Sequence, residues 1–445
     1  MKSAIQIFIL LTLCSCTQNQ KTVESNFNDQ GFPESDYIDF SLEKSKKVHQ
    51  RFNDENWDDF ESWALQGDAS RYIYLHFSEF WPHTIIKAGQ YKKCLPIHLR
   101  EDVAQFQFAL DKKDFIFKNY INNSPTNGAI VIHKGNIVFE SYPRMLPDDK
   151  HTYMSISKIL VSLSVGILID QGKINTEDPV EVYIPKLKGS HAGKIKVIDF
   201  LDMTSGLDCV PSEAHGGDCF KKSLLVWGWP KTSMALENPL EYFAEIASHR
   251  PAGEVFEYAD INPLILSALI EEVSGQKYSN FIEQEIWKKS GAMSDAVIMN
   301  AAFGRSASPL GFSSTLRDLA RLGMLYTPSG RRNNNPVVST RHLEAIQMEG
   351  RPKLLLETKS TDWFTDNDSN TKNLLYGEPI KHETYQWEFV MEDGDFWKAG
   401  FGGSGLYVSP KKDLVIAYFG SKDENNNENK LPLISRMIAK SDLFN

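Results

Sequence analysis

Ser155-Ile156-Ser157-Lys158-Ile159-Leu160-Val161-Ser162-Leu163-Ser164-Val165-Gly166-Ile167-Leu168-Ile169-Asp170 is the stretch on which the reading of this chain turns. After Lys158 it is apolar on all sides, which marks a helix buried all round. Helical spacing puts Ser155 and Lys158 on one face, a turn apart. Lys158 is thereby drawn into an apolar interior, where desolvation disfavours the ammonium and turns the amine toward a general base for the neighbouring hydroxyl. The helix N-terminus adds partial positive charge and backbone N–H groups that favour an alkoxide at Ser155. Ser-x-x-Lys alone is weak, because it also begins at Ser41, Ser274, Ser369 and Ser409. Taken by itself it also fits an ordinary N-cap serine followed by a snorkelling lysine.

Upstream, Gly128 to His133 and Asn136 to Tyr142 are β-branched runs flanking Lys134-Gly135, a two-residue hairpin turn. Near the other end, Gly405 to Val408 and Asp413 to Phe419 flank Ser409-Pro410-Lys411-Lys412, a second hairpin. Between them lie helical patterns at Ser155 to Asp170, Pro263 to Val273, Tyr278 to Lys288 and Thr315 to Leu325, with Gly172 and Gly275 as closing residues. This order predicts an α/β protein of the α+β kind, in which an antiparallel sheet is built from both ends of the chain and flanked by helices, with a mostly helical subdomain inserted. Polar stretches at Arg331 to Asn335, Asp362 to Lys372 and Asp423 to Lys430 read as surface loops.

Two further segments bear on the chemistry. Pro251-Ala252-Gly253-Glu254-Val255-Phe256-Glu257-Tyr258-Ala259-Asp260 precedes a helix, and Phe396-Trp397-Lys398-Ala399-Gly400-Phe401-Gly402-Gly403 precedes the second hairpin. With Ser155-Ile156-Ser157-Lys158 they resemble, in order, the Ser-x-x-Lys, Tyr-x-Asn and Lys-Thr-Gly signatures of the serine β-lactamase and penicillin-binding superfamily. The linking text Ile198 to Leu207 and Gly311 to Arg321 agrees, and the likeness runs from about Ala129 to Phe419. Within the superfamily the chain is most similar to class C β-lactamase-related esterases and 6-aminohexanoate-dimer hydrolases, including the lead-in from Ser70 to Ile86.

The resemblance implies Ser155 as nucleophile, Lys158 as base, Tyr258 as proton relay and Lys398 as a cation holding Tyr258. It implies an oxyanion hole of the Ser155 and Phe401 N–H groups, with Gly400 allowing close approach of substrate. A tyrosine between two lysines is expected to have its phenolate favoured. The second signature departs from the family in ending on Asp260, and the third in carrying Ala399 where a hydroxyl is usual. Both changes disfavour an anionic substrate and point to a neutral or cationic ester or amide. The segment after Gly206, through Cys209, His215, Cys219, Trp227 and Trp229, falls where the family places a loop over the site. Trp227 and Trp229 are candidate substrate contacts and equally candidates for core packing. His151 lies near the nucleophile but has no evident partner carboxylate. Cys209 and Cys219 are spaced either for a disulfide or for two free thiols.

The chain has 445 residues, 41% hydrophobic and 24% charged, with a net charge of −10 and no long basic run, which gives no footprint for nucleic acid. No pattern calls for a metal or other cofactor. Met1-Lys2, an apolar run from Ala4 to Leu13 and the lipobox-like Leu13-Cys14-Ser15-Cys16 predict a signal peptide over 1–16 with lipid added at Cys16. The expected arrangement is a polar tether over 17–62 and a hydrolase domain over 63–445, exported and lipid-anchored on the periplasmic or cell-surface side of a bacterial membrane. The leading function is a serine hydrolase that acylates Ser155. The alternatives are a D-alanyl-D-alanine peptidase or penicillin-binding type of enzyme acting on cell wall, and a non-catalytic binding lipoprotein.

Overall fold

Apolar runs more than 240 residues apart in the chain pair with one another. The computed structural model describes residues 41–54, 67–209, 219, 239–301, 304–331, 336–348, 350–351 and 380–445. Its main sheet has seven strands, β1 (Thr126–His133), β2 (Asn136–Ser141), β3 (Ile380–Thr384), β4 (Trp387–Met391), β5 (Phe396–Gly400), β6 (Ser404–Ser409) and β7 (Leu414–Gly420). They are ordered β2-β1-β7-β6-β5-β4-β3, antiparallel throughout. The pairing of β7 with β1, which sets Leu414 opposite His133 and Ala417 opposite Ile130, closes the two ends of the chain into one sheet as expected. At the β1–β2 turn Lys134 and Gly135 have φ of 48° and 79°, the left-handed geometry that two-residue hairpins need.

Strand alternation divides the sheet between two cores. Ile130, Ile132, Leu406, Val415 and Ala417 face the helices α1 (Lys158–Asp170), α2 (Ile261–Ser274) and α3 (Leu316–Met324), while Ala129, Val131, Tyr407, Ile416 and Tyr418 face α4 (Leu431–Lys440). Helix α1 is buried along nearly its whole length, as its all-apolar sequence requires, and packs against α2. Gly275 closes α2 with φ of 69°.

A second, four-stranded sheet (His83–Ile86, Ala296–Met299, Phe312–Ser314 and His151–Thr152) feeds the chain into the nucleophile. His151 pairs with Ser314, and the Tyr153 N–H donates to the Phe312 carbonyl at 2.7 Å. His151 itself is structural. It is fully buried, stacked on Phe419 and bonded to Asn127, and burial brings its pKa down to about 4.

Three expectations are altered. The helix expected from Ser155 begins at Lys158, and Ser155 lies in a 3-10 turn over Met154–Ser157. The pattern from Tyr278 to Lys288 is helical but contains a π-helical stretch, Ile282–Trp287. Within the stretch expected as tether, Leu42–Asp54 is a helix whose Val48 and Phe52 are buried, Phe52 against Phe80 and Trp81, because these two apolar residues one turn apart find an aromatic surface. Cys209 and Cys219 form a disulfide, with the Tyr242 hydroxyl 2.8 Å from Cys219 Sγ. Cys16, His215, Trp227 and Trp229 lie outside the described residues.

Candidate active site

Four elements converge on Ser155. The 3-10 turn supplies Ser155 itself, preceded by Met154 in the left-handed region at φ of 48°. A non-glycine residue there is held by its surroundings, here by a buried side chain and the sheet contacts on Tyr153. In a 3-10 turn residues three apart eclipse, so Ser155 and Lys158 stand in line with one another. Lys158 Nζ lies 2.8 Å from Ser155 Oγ and donates also to the Pro309 carbonyl at 3.2 Å.

Lys158 is wholly buried and 2.7 Å from Asp260 Oδ1, whose side chain is 15% exposed. Asp260 stands at the N-cap position of α2 without a side-chain capping bond, its carboxylate given to Lys158, so the second motif reaches the nucleophile from the start of a helix. Burial dominates the lysine's titration and brings its pKa down to about 8, against the opposing pull of Asp260 and with a smaller push from Lys398. A substantial fraction of Lys158 is therefore neutral amine near pH 8, beside a hydroxyl.

Tyr258 hydrogen-bonds Ser155 and has Lys158 and Lys398 against its ring face, 5.1 and 4.9 Å from the centroid. Met203 and Phe256 pack around it. The expected resting phenolate is corrected. Burial first, then the carboxylates Glu388 and Asp260, push the phenol well above its ordinary value, outweighing the lysines. In the resting site Tyr258 is a neutral phenol.

Lys398 Nζ lies 3.4 Å from the Tyr258 hydroxyl and 2.6 Å from Glu388 Oε1, and the lysine side chain is wholly buried. The second Glu388 oxygen accepts from the Ala399 N–H at 2.9 Å. Glu388, on β4 beside Lys398 on β5, is the site residue that sequence reading missed. It sits in an apolar-looking strand and reaches Lys398 only through strand pairing. Glu383 on β3 is also buried, and burial and the charge of Glu388 push its carboxyl well above the ordinary range, toward the neutral acid.

Gly400 ends β5 where that strand meets the nucleophile turn. A Cβ there would stand 2.3 Å from the Tyr153 carbonyl oxygen, so only glycine fits. Phe401 follows directly, placing its backbone beside the turn that carries Ser155. Gly400→Ala is expected to force that approach apart and to lower hydrolase activity, to be checked by steady-state kinetics beside thermal unfolding.

The sequence family described as Beta-lactamase matches residues 117–436. The 6-aminohexanoate-dimer hydrolase of Paenarthrobacter ureafaciens is 28% identical over 297 residues, covering 66% of this chain and 72% of that one. Protein flp of Staphylococcus aureus strain MW2 is 21% identical over 269 residues, and the chain spans about half its length, 52%. Among solved structures, a Bacillus anthracis protein provisionally assigned as a 6-aminohexanoate-dimer hydrolase superposes with a TM-score of 0.67 at 20% identity, covering 86% of this chain and 94% of that one. A Yersinia pestis β-lactamase/D-alanine carboxypeptidase gives 0.55 at 17% identity, covering 72% and 95%. Ser155 and the buried Lys158 beside it thus stand in a chain that belongs to the β-lactamase family and is a serine hydrolase.

Proposed function

We propose that the protein hydrolyses an ester or amide through an acyl-enzyme on Ser155. The observation that carries this reading is the 2.8 Å contact between Lys158 Nζ and Ser155 Oγ inside a desolvated site. Neutral Lys158 takes the hydroxyl proton as Oγ attacks the substrate carbonyl, and the negative oxygen of the tetrahedral intermediate is received by the N–H groups of Ser155 and Phe401. The proton returns to the leaving alcohol or amine through Tyr258, and water, deprotonated by the same machinery, cleaves the acyl-serine.

Charge bears on the substrate. Two lysines face two carboxylates, Asp260 and Glu388, with Glu383 held toward its neutral form, so no surplus positive charge remains for a substrate carboxylate. Once Lys158 becomes the neutral base, the balance turns negative. Together with Ala399 this supports neutral or cationic acyl groups, and the Paenarthrobacter relative's name makes short linear amides of amino acids suitable first substrates. A cell-wall peptidase is separated by penicillin, which should label Ser155 poorly relative to a fluorophosphonate if the ester and amide reading holds.

The acylation rate should rise with pH through about 8, because the base is the deprotonated form of Lys158. Asp260 supports the ammonium, so Asp260→Asn is expected to move that limb to lower pH. Pre-steady-state burst rates with p-nitrophenyl butyrate from pH 6 to 10 check this, and an unmoved limb would show that Asp260 does not set the lysine's titration.

We further propose that the protein is exported and held at a bacterial membrane by lipid on Cys16, as the sequence Leu13-Cys14-Ser15-Cys16 supports. Detergent-phase partitioning that disappears in Cys16→Ala tests it.

A further inference from the structure

Lys422 and the Asp423–Lys430 stretch after it, which reads in sequence as a surface loop, together touch each of the three residues that follow Gly400. Glu428 Oε1 accepts from the Gly402 N–H at 2.9 Å. Asn429, buried and bonded through Oδ1 to the Leu431 N–H that begins α4, donates from Nδ2 to the Gly403 carbonyl at 2.7 Å. Lys422 Nζ lies 4.3 Å from the centre of the Phe401 ring. Tyr74 closes over Gly402, where a Cβ would meet its ring at 2.4 Å.

Such a brace has a physical reason. Gly402 and Gly403 both have φ of 88°, a conformation glycine permits without enforcing. A two-glycine turn joining β5 to β6 has little stiffness of its own, yet the Phe401 N–H at its start must be aimed at a developing oxyanion to within a few tenths of an ångström. Rigidity has to come from outside the turn, and the 422–429 stretch supplies it through one charged acceptor, one buried amide and one cation on a ring.

We infer that Glu428 and Asn429 are positioning residues for the oxyanion donor at Phe401, an inference that rests on the acyl-enzyme reading above. Neither touches the reacting atoms. Their effect is confined to the tetrahedral state, and it depends on Glu428 as an acceptor for Gly402 and not on its charge.

The test compares wild type, Glu428→Ala and Glu428→Gln in burst kinetics with p-nitrophenyl butyrate and in inhibition by phenylboronic acid, whose tetrahedral serine adduct uses the oxyanion hole. Glu428→Ala should acylate about three- to tenfold more slowly, the value of one hydrogen bond, with KM changed less than twofold and boronate affinity weakened by the same factor. Glu428→Gln keeps the acceptor and should match wild type. Glu428 is exposed as a residue, but its carboxyl is desolvated where it meets the Gly402 N–H, so thermal unfolding of both variants beside the kinetics separates lost positioning from lost fold. Wild-type acylation by Glu428→Ala, or equal loss in Glu428→Gln, overturns the inference while leaving the acyl-enzyme reading intact. A wild-type protein that fails to acylate overturns both.

Discussion

Lys158→Ala is expected to slow acylation of Ser155 by about a hundred- to ten-thousandfold, the range for loss of a positioned general base, with little change in KM. The amine is 2.8 Å from Ser155 Oγ, and burial has already removed most of the cost of presenting it as a base. Neither other nearby group can replace it. Tyr258 is a neutral phenol with its pKa pushed upward, and Lys398 is paired to Glu388 at 2.6 Å. The pH limb near 8 should vanish with the lysine. Burst kinetics across pH, beside thermal unfolding to confirm the fold, measure both effects. A variant that keeps the limb would assign the base elsewhere.

Glu388→Ala should act on stability more than any other substitution in the site. It removes the partner of a lysine with no exposed surface and takes the acceptor from the Ala399 N–H in the same step. Breaking a buried pair on one side typically costs about 3–5 kcal/mol, because the remaining charge is left uncompensated. Urea unfolding should report that loss, with Glu388→Gln intermediate because its carbonyl still accepts one bond. An unchanged midpoint would mean that Lys398 finds another partner or loses its proton.

What could be read from the sequence, and what could not, follows from how local each signal is. The Lys134-Gly135 hairpin, the apolar α1 and the strand Leu414–Gly420 are local patterns and appear as expected apart from the start of α1, and the order of strands and helices along the chain pointed to the return of Leu414–Gly420 to the N-terminal strands. The candidacy of Tyr258 and Lys398 rests on family likeness, since neither residue is informative alone. β3 and β4 were not anticipated, because Trp387-Glu388-Phe389-Val390-Met391 is buried on both faces and shows no clean alternation. The turn before it, Tyr385-Gln386, takes φ of 50° and 66° without glycine or asparagine. Missing that turn meant missing Glu388. The Tyr258 phenolate failed for a different reason. Two lysines were visible in the motifs, but the carboxylates and the burial that outweigh them exist only in the folded site. Asn429 was hidden in a run of Asn, Asp and Glu whose composition says loop and says nothing of which member turns inward.

The central claim is that Ser155 is the residue that becomes acylated. Intact mass spectrometry of the purified protein with a fluorophosphonate, followed by peptide mapping, tests it most directly. The expected result is one adduct on the peptide containing Ser155, forming faster as the pH rises through 8, and none in Ser155→Ala. A wild-type protein that takes no label, or an adduct that persists in Ser155→Ala, would contradict the account.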